Sequence, residues 1–187
     1  MASSLVSFWR SSGPPKWFST DAAFDQELRD RFQDLHFEAA RRNLDTWMET
    51  PDGALALILL LDQIPRNIFR GSSHMFATDS LARTFASQAV KNKFDQDPAL
   101  KDLRSFFYMP FEHSEELEDQ QRAVELMTPL GGGNVTWAKD HLNIIERFGR
   151  FPHRNAVMGR ISTAEEVDYL SSGGFGGGMA SKSALPN

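Results

Sequence analysis

Eight consecutive residues, Ala54-Leu55-Ala56-Leu57-Ile58-Leu59-Leu60-Leu61, carry no polar side chain. A run like this fits either a parallel strand covered on both faces or a helix packed all round. Its flanks favour the helix. Thr50-Pro51 ahead of it is a helix start, where Thr caps and Pro sits at the first position without losing a hydrogen bond. Ala and Leu are strong helix formers. The remaining chain must therefore cover a central helix on every side, and 187 residues suit a single domain that does so. At its C-terminal end this helix delivers Asp62 and Gln63 before Pro65, which is expected to stop it. An acid there opposes the helix dipole and calls for a cation, with Arg66 or Arg70 in reach.

The other stretches also read as helices. Thr20 or Asp21 caps one through about Arg42, with Phe24, Leu28, Phe32, Leu35 and Ala39 at steps of three and four. Thr78-Asp79 opens another through about Lys93. Asp97-Pro98 begins one that Met109-Pro110-Phe111 breaks, and Ser114 is expected to cap the next. Thr128 to Asn134, with three glycines, reads as a flexible loop before a helix over 135–148. Thr163 and Glu166 have the spacing of a capping box opening a helix to about Leu170. The aromatic residues Phe8, Trp9, Trp17 and Phe18 flank a Ser-Ser-Gly-Pro-Pro turn and read as rings that cap the core. No alternating run is long enough for a strand. The expected fold class is all-α, with seven to eight helices in antiparallel pairs over residues 1–170. Residues 171–187, rich in Gly and Ser, read as a disordered tail.

Composition narrows function only broadly. The absence of cysteine excludes disulfides, thiolate nucleophiles and Cys-ligated metal sites. A net charge of −5 argues against a nucleic-acid partner. The longest apolar run falls far short of the roughly 20 residues a membrane span needs, so no membrane association is expected and the expected location is the cytoplasm.

Polar side chains gather at three helix ends, each marked by a proline. The first holds Asp62, Gln63, Arg66, Asn67 and Arg70. The second holds Tyr108, His113, Ser114 and Glu115, with Asp119 one turn on. The third holds Arg150, His153, Arg154, Asn155 and Arg160. Residues 141–160 carry four Arg against one Glu, a net +3. Guanidinium groups at that density suit carboxylate or phosphate recognition, because their fork binds such anions through two parallel hydrogen bonds. If the three ends meet, Asp62, Gln63, Arg66, Asn67, Arg70, Tyr108, Asp119, Arg150, Arg154, Asn155 and Arg160 line a cleft for a small anion. His113 or His153, oriented by Glu115 or an Asp, would then move a proton. The spacing of His, Glu and Asp matches no dense metal motif, so no metal or cofactor is expected. The bland alternative is that these charges only tie helix ends to one another. A second functional alternative is a scaffold whose concave face takes a protein or peptide partner.

The chain resembles a known family, catalogued as domain of unknown function 924. The likeness rests on Phe8-Trp9, Trp17-Phe18, the stretch Leu60-Leu61-Asp62-Gln63-Ile64-Pro65-Arg66-Asn67-Ile68-Phe69-Arg70-Gly71, and Phe76-Ala77-Thr78-Asp79. It continues through Tyr108-Met109-Pro110-Phe111-Glu112-His113-Ser114-Glu115, Arg147-Phe148-Gly149-Arg150-Phe151-Pro152-His153-Arg154-Asn155 and Gly159-Arg160-Ile161-Ser162-Thr163. These cover about residues 5 to 170. The resemblance implies a tetratricopeptide-like superhelix of stacked helical hairpins and transfers no activity.

Overall fold

In the computed structural model, which describes residues 1–174, every regular element is helical and no strand is present among the described residues. Helix α1 spans Ala2–Ser12, α2 Pro14–Trp17, α3 Ala22–Ala40, α4 Pro51–Ile58, α5 Ile64–Ile68 and α6 Asp79–Lys91. They are followed by α7 Met109–Glu112, α8 Leu117–Met127, α9 Gly132–Phe148 and α10 Ala164–Ser171. A π-turn over Leu59–Gln63 joins α4 to α5 in one continuous rod, so the ten segments make nine helices among the described residues. That exceeds the seven to eight expected, mainly because the N-terminal lead-in is itself a helix. It buries Leu5, Val6 and Trp9 rather than merely capping the core.

The all-apolar run is the centre of the molecule. Residues Ala54 to Leu61 are all fully buried, with α1, α6 and the 3-10 segment Pro98–Phe107 packed against α4, and α3 against α5. Burying each Leu or Ile here contributes about 1.5–3 kcal/mol. At the entry, the Thr50 hydroxyl accepts from the Gly53 amide. Gly53 is needed there, because an added Cβ would sit 2.0 Å from the Trp47 carbonyl oxygen.

Several expected caps hold. Asp21 accepts from the amides of Ala23 and Phe24, Asp97 from Ala99, and Thr163 with Glu166 closes a full capping box. Others are corrected. The Thr78 hydroxyl turns away from α6 and donates to the Leu61 carbonyl. Ser114 does not cap α8; its hydroxyl donates to Asp119 and receives Arg83 and the Glu116 amide. The glycine loop is shorter than expected, since α9 already starts at Gly132. Gly149, at φ 67°, closes α9 with its amide on the Ile145 carbonyl. Helix α10 runs to Ser171, and of the tail expected over 171–187 residues 175–187 lie outside the described residues.

Pro65 does not stop the central helix. The π-turn places the Ile64 amide on the Leu59 carbonyl, and Pro65 has no amide to offer. Side chains take the carbonyls that follow: His36 Nδ1–H donates to Leu60, Thr78 to Leu61 and Arg66 to Asp62. The widened turn is thus satisfied from three other places in the chain, and it swings Asp62 and Gln63 to face α7.

Candidate functional site

The three proline-marked ends meet. Asp62, fully buried in the π-turn, accepts from His113 Nδ1 at 2.8 and 3.0 Å and from Gln63 at 2.6 Å. Arg66 approaches the same carboxylate at 3.2 Å and grips Asp79, at the start of α6, through two hydrogen bonds of 2.9 Å. Arg154, from the third end, donates to the His113 carbonyl at 3.0 Å and lies 3.7 Å from Asp79. Its guanidinium stacks over Phe76 and Phe151. One turn away, His141 of α9 has its ring centroid 6.2 Å from that of His113, and its Nδ1 lies 3.3 Å from a Glu112 oxygen.

Charge and tautomer follow from these partners. Burial alone would raise the pKa of Asp62, but Arg66 and then His113 hold it well below the usual carboxylate range. An ionised carboxylate only accepts, so His113 carries its proton on Nδ1 and presents a bare lone pair at Nε2. The ring stays neutral, because burial and then Arg66 lower its pKa against the pull of Asp62. His113 keeps some contact with solvent, its side chain being 15% exposed. Burial and then Arg66 also lower Arg154 to about 10, and its Nε is buried without a hydrogen-bond partner. Arg66 has its counter-charge in Asp79; Arg154 has only a distant share of one.

Most other expected residues are bound to the protein itself. Asn67 and Arg70 hold Asp25 of α3, and the Tyr108 hydroxyl donates to Asp95. Asp119 pairs with Arg83 at 3.0 Å. Arg150 clasps Glu166 at 2.6 and 2.7 Å, and Asn155 donates to Ser162 and Glu166. Arg160 clasps Glu115, which also accepts the Phe151 amide at 2.8 Å. Glu115 therefore braces the third end against the second rather than orienting a histidine. His153 is exposed, with its ring 5.5 Å from Phe151. The convergent group is smaller than expected: Asp62, Gln63, Arg66, His113 and Arg154.

Phe76, Asp79, Glu112 and His141 are not among the site residues expected from the sequence, although the first three lie in the stretches that carry the family likeness. Asp79 reads as a helix start, yet a carboxylate opening α6 is also a second partner for Arg66. His141 carries no signal of its own, because a lone histidine in a helical pattern looks like any other helix residue. Among the described residues, no group of three or more His, Cys, Asp or Glu is arranged to hold a metal ion. No helix among them is long and apolar enough to cross a membrane. A cavity of about 250 Å³ lies elsewhere, lined by Trp137, Asp140, Ile144, Phe148 and Tyr169, and shares no residue with the cluster.

This electrostatic arrangement makes stability depend on pH. His36, whose Nδ1 donates to Leu60, is held neutral chiefly by burial, and burial likewise lowers His113, and His141 to about 3. For a histidine lowered in the fold, the stabilisation is full above the unfolded value near 6.5 and is lost as pH falls below it. Burial pushes Glu112 up to about 8, so it gains stabilisation over the same window and offsets part of that loss. Thermal unfolding should show a net fall of Tm from pH 6.5 to 4.5. A flat Tm across that window would show that these rings are not held neutral.

The sequence profile of a bacterial protein family of unknown function, DUF924, matches residues 5–174. A solved structure of a protein of unknown function from Agrobacterium tumefaciens is similar at 55% identity, with a TM-score of 0.89. The match covers 92% of this chain and 97% of that one. No curated protein matches the chain at a significant level.

Proposed function

We propose that this chain, which belongs to the DUF924 family, binds a small anionic ligand at the meeting point of α5, α7 and the 151–155 turn. There it uses His113 as a general base. The observation that carries this reading is the orientation of His113. A buried carboxylate fixes its Nδ1–H, and Nε2 takes no hydrogen bond from the described residues. That is how a base is aimed: the carboxylate sets the tautomer and stabilises the imidazolium that forms when Nε2 takes a proton.

Arg154 supports the anionic character of the ligand. A guanidinium taken out of water, beside Arg66 and without a full counter-charge, gains more from an incoming carboxylate or phosphate than one already paired. Arg150, Arg160 and Arg70 are each spent on a carboxylate of the protein and are assigned to holding helix ends together.

Isothermal titration with inorganic phosphate and malate separates these assignments. Arg154→Gln should weaken binding of at least one of the two anions tenfold or more, whereas Arg150→Gln should leave it within twofold. Equal affinity in wild type and Arg154→Gln would remove Arg154 from the site.

A further inference from the structure

We propose that Gln120 is the positioning residue of His113: Asp62 orients the ring, and Gln120 fixes the turn of backbone that carries it. This rests on the reading of His113 as base and adds what aims it. Helix α7 ends at Glu112 and α8 begins at Leu117, so His113 sits in the turn between them. The carbonyls at the end of a helix have no amide of their own helix to receive and need other donors. Here side chains supply donors at three successive residues. Gln120 Nε2 donates to the Glu112 and Ser114 carbonyls, both at 2.6 Å, and Arg154 donates to the His113 carbonyl between them at 3.0 Å.

The direction of the Gln120 amide follows from its partners. The residue lies in the first turn of α8, where its own amide donates to the Glu116 carbonyl at 3.2 Å, and it is 0% exposed. Its side-chain nitrogen carries two hydrogens, and one goes to each carbonyl. Turned round, the amide would set its oxygen against two carbonyl oxygens. Its Oε1 is buried without a hydrogen-bond partner among the described residues. The side chain is therefore placed for what it donates, at the expense of its acceptor, and an unmet buried acceptor costs stability.

The consequence for His113 is one of distance. Its Nδ1 reaches Asp62, 51 residues away in the sequence, at 2.8 and 3.0 Å, and holds there only while the turn keeps its shape. Ser114 is braced separately, because its hydroxyl donates to Asp119 and accepts from Arg83. No other side chain among the described residues bonds the carbonyls on both sides of His113. Without Gln120, two carbonyls of buried residues would lack donors, and the turn would have to open towards water. A displacement of about 1 Å is enough to break the bond to Asp62 and to misplace Nε2.

Nitrogen-15 NMR of the full chain at pH 7 decides this. Gln120→Met keeps a long side chain and removes both donors. Its His113 ring should lose the single Nδ1–H tautomer expected of the wild type and average between the two forms. Met127→Ala, which empties a buried position on the same helix, should lower Tm and leave the tautomer unchanged, so lost stability alone does not give the result. Retention of the wild-type tautomer in folded Gln120→Met overturns the proposal. The wild type supplies a second measure that needs no variant to fold. As pH falls, the side-chain amide of Gln120 should shift with the same midpoint as the His113 ring, and an amide unmoved through that titration also overturns the proposal. A wild-type ring that already carries its hydrogen on Nε2 defeats the base itself, a failure distinct from that of Gln120.

Discussion

Asp62→Ala is expected to cost about 3–5 kcal/mol of folding stability, the range for breaking a buried ion pair by deleting one partner. The size follows from what would be left behind. Asp62 is fully buried and satisfies His113, Gln63 and Arg66 at once. Alanine would leave a buried imidazole N–H without its acceptor, the Gln63 amide with only the Met109 sulfur at 3.4 Å, and Arg66 with Asp79 and the backbone carbonyl of residue 62. Urea unfolding at pH 7 measures the loss, and Asp62→Asn, which retains an acceptor oxygen, should lose less. A cost below about 1 kcal/mol for the alanine variant would match an exposed ion pair and contradict this account of Asp62 as the hub of the site.

His113→Gln is expected to reduce exchange of the hydrogens beside a bound carboxylate by about 10²–10⁴-fold, the usual contribution of a positioned base. Glutamine can still donate an amide hydrogen to Asp62, so the effect should fall on kcat with KM nearly unchanged. The check is the exchange rate of malate in deuterium oxide, with Tm measured in parallel. If Tm collapses while the residual rate per folded molecule is unaltered, His113 only supports the fold.

Much of the architecture was readable from the sequence because it was written in local chemistry. Thr50-Pro51, Asp21, Asp97 and the Thr163–Glu166 pair each name a helix start through a hydrogen bond that spans two or three residues. The apolar run at 54–61 named the centre, since a helix without a polar side has only one place to go. The errors came where tertiary demand outweighed a local rule. Thr78 looks like a cap, but the π-turn leaves the Leu61 carbonyl short of a donor, and the hydroxyl goes there. Pro65 looks like a stop, but side chains from α3, α5 and the start of α6 supply what the helix loses.

The site was legible as three clusters and illegible as a set of pairings. Eleven polar residues at proline-marked ends were assigned to one ligand, and most of them turn out to answer a carboxylate or carbonyl elsewhere in the chain. Which Arg is spent and which is not depends on contacts such as Arg150 with Glu166 or Arg160 with Glu115, the latter 45 residues apart. No local pattern encodes those. Arg154 stands out from the other arginines only once Phe76, Phe151 and Asp79 are seen packed around it.

The most direct test of the central claim is nitrogen-15 NMR of the His113 ring in wild type and Asp62→Asn. The account predicts a neutral ring at pH 7 in wild type, with the hydrogen on Nδ1, a bare Nε2 and a titration midpoint below the ordinary value near 6.5. Addition of malate should shift the Nε2 resonance, and Asp62→Asn should lose the fixed tautomer. A His113 ring with its hydrogen on Nε2, or one that is fully charged at pH 7 in the wild type, would contradict it.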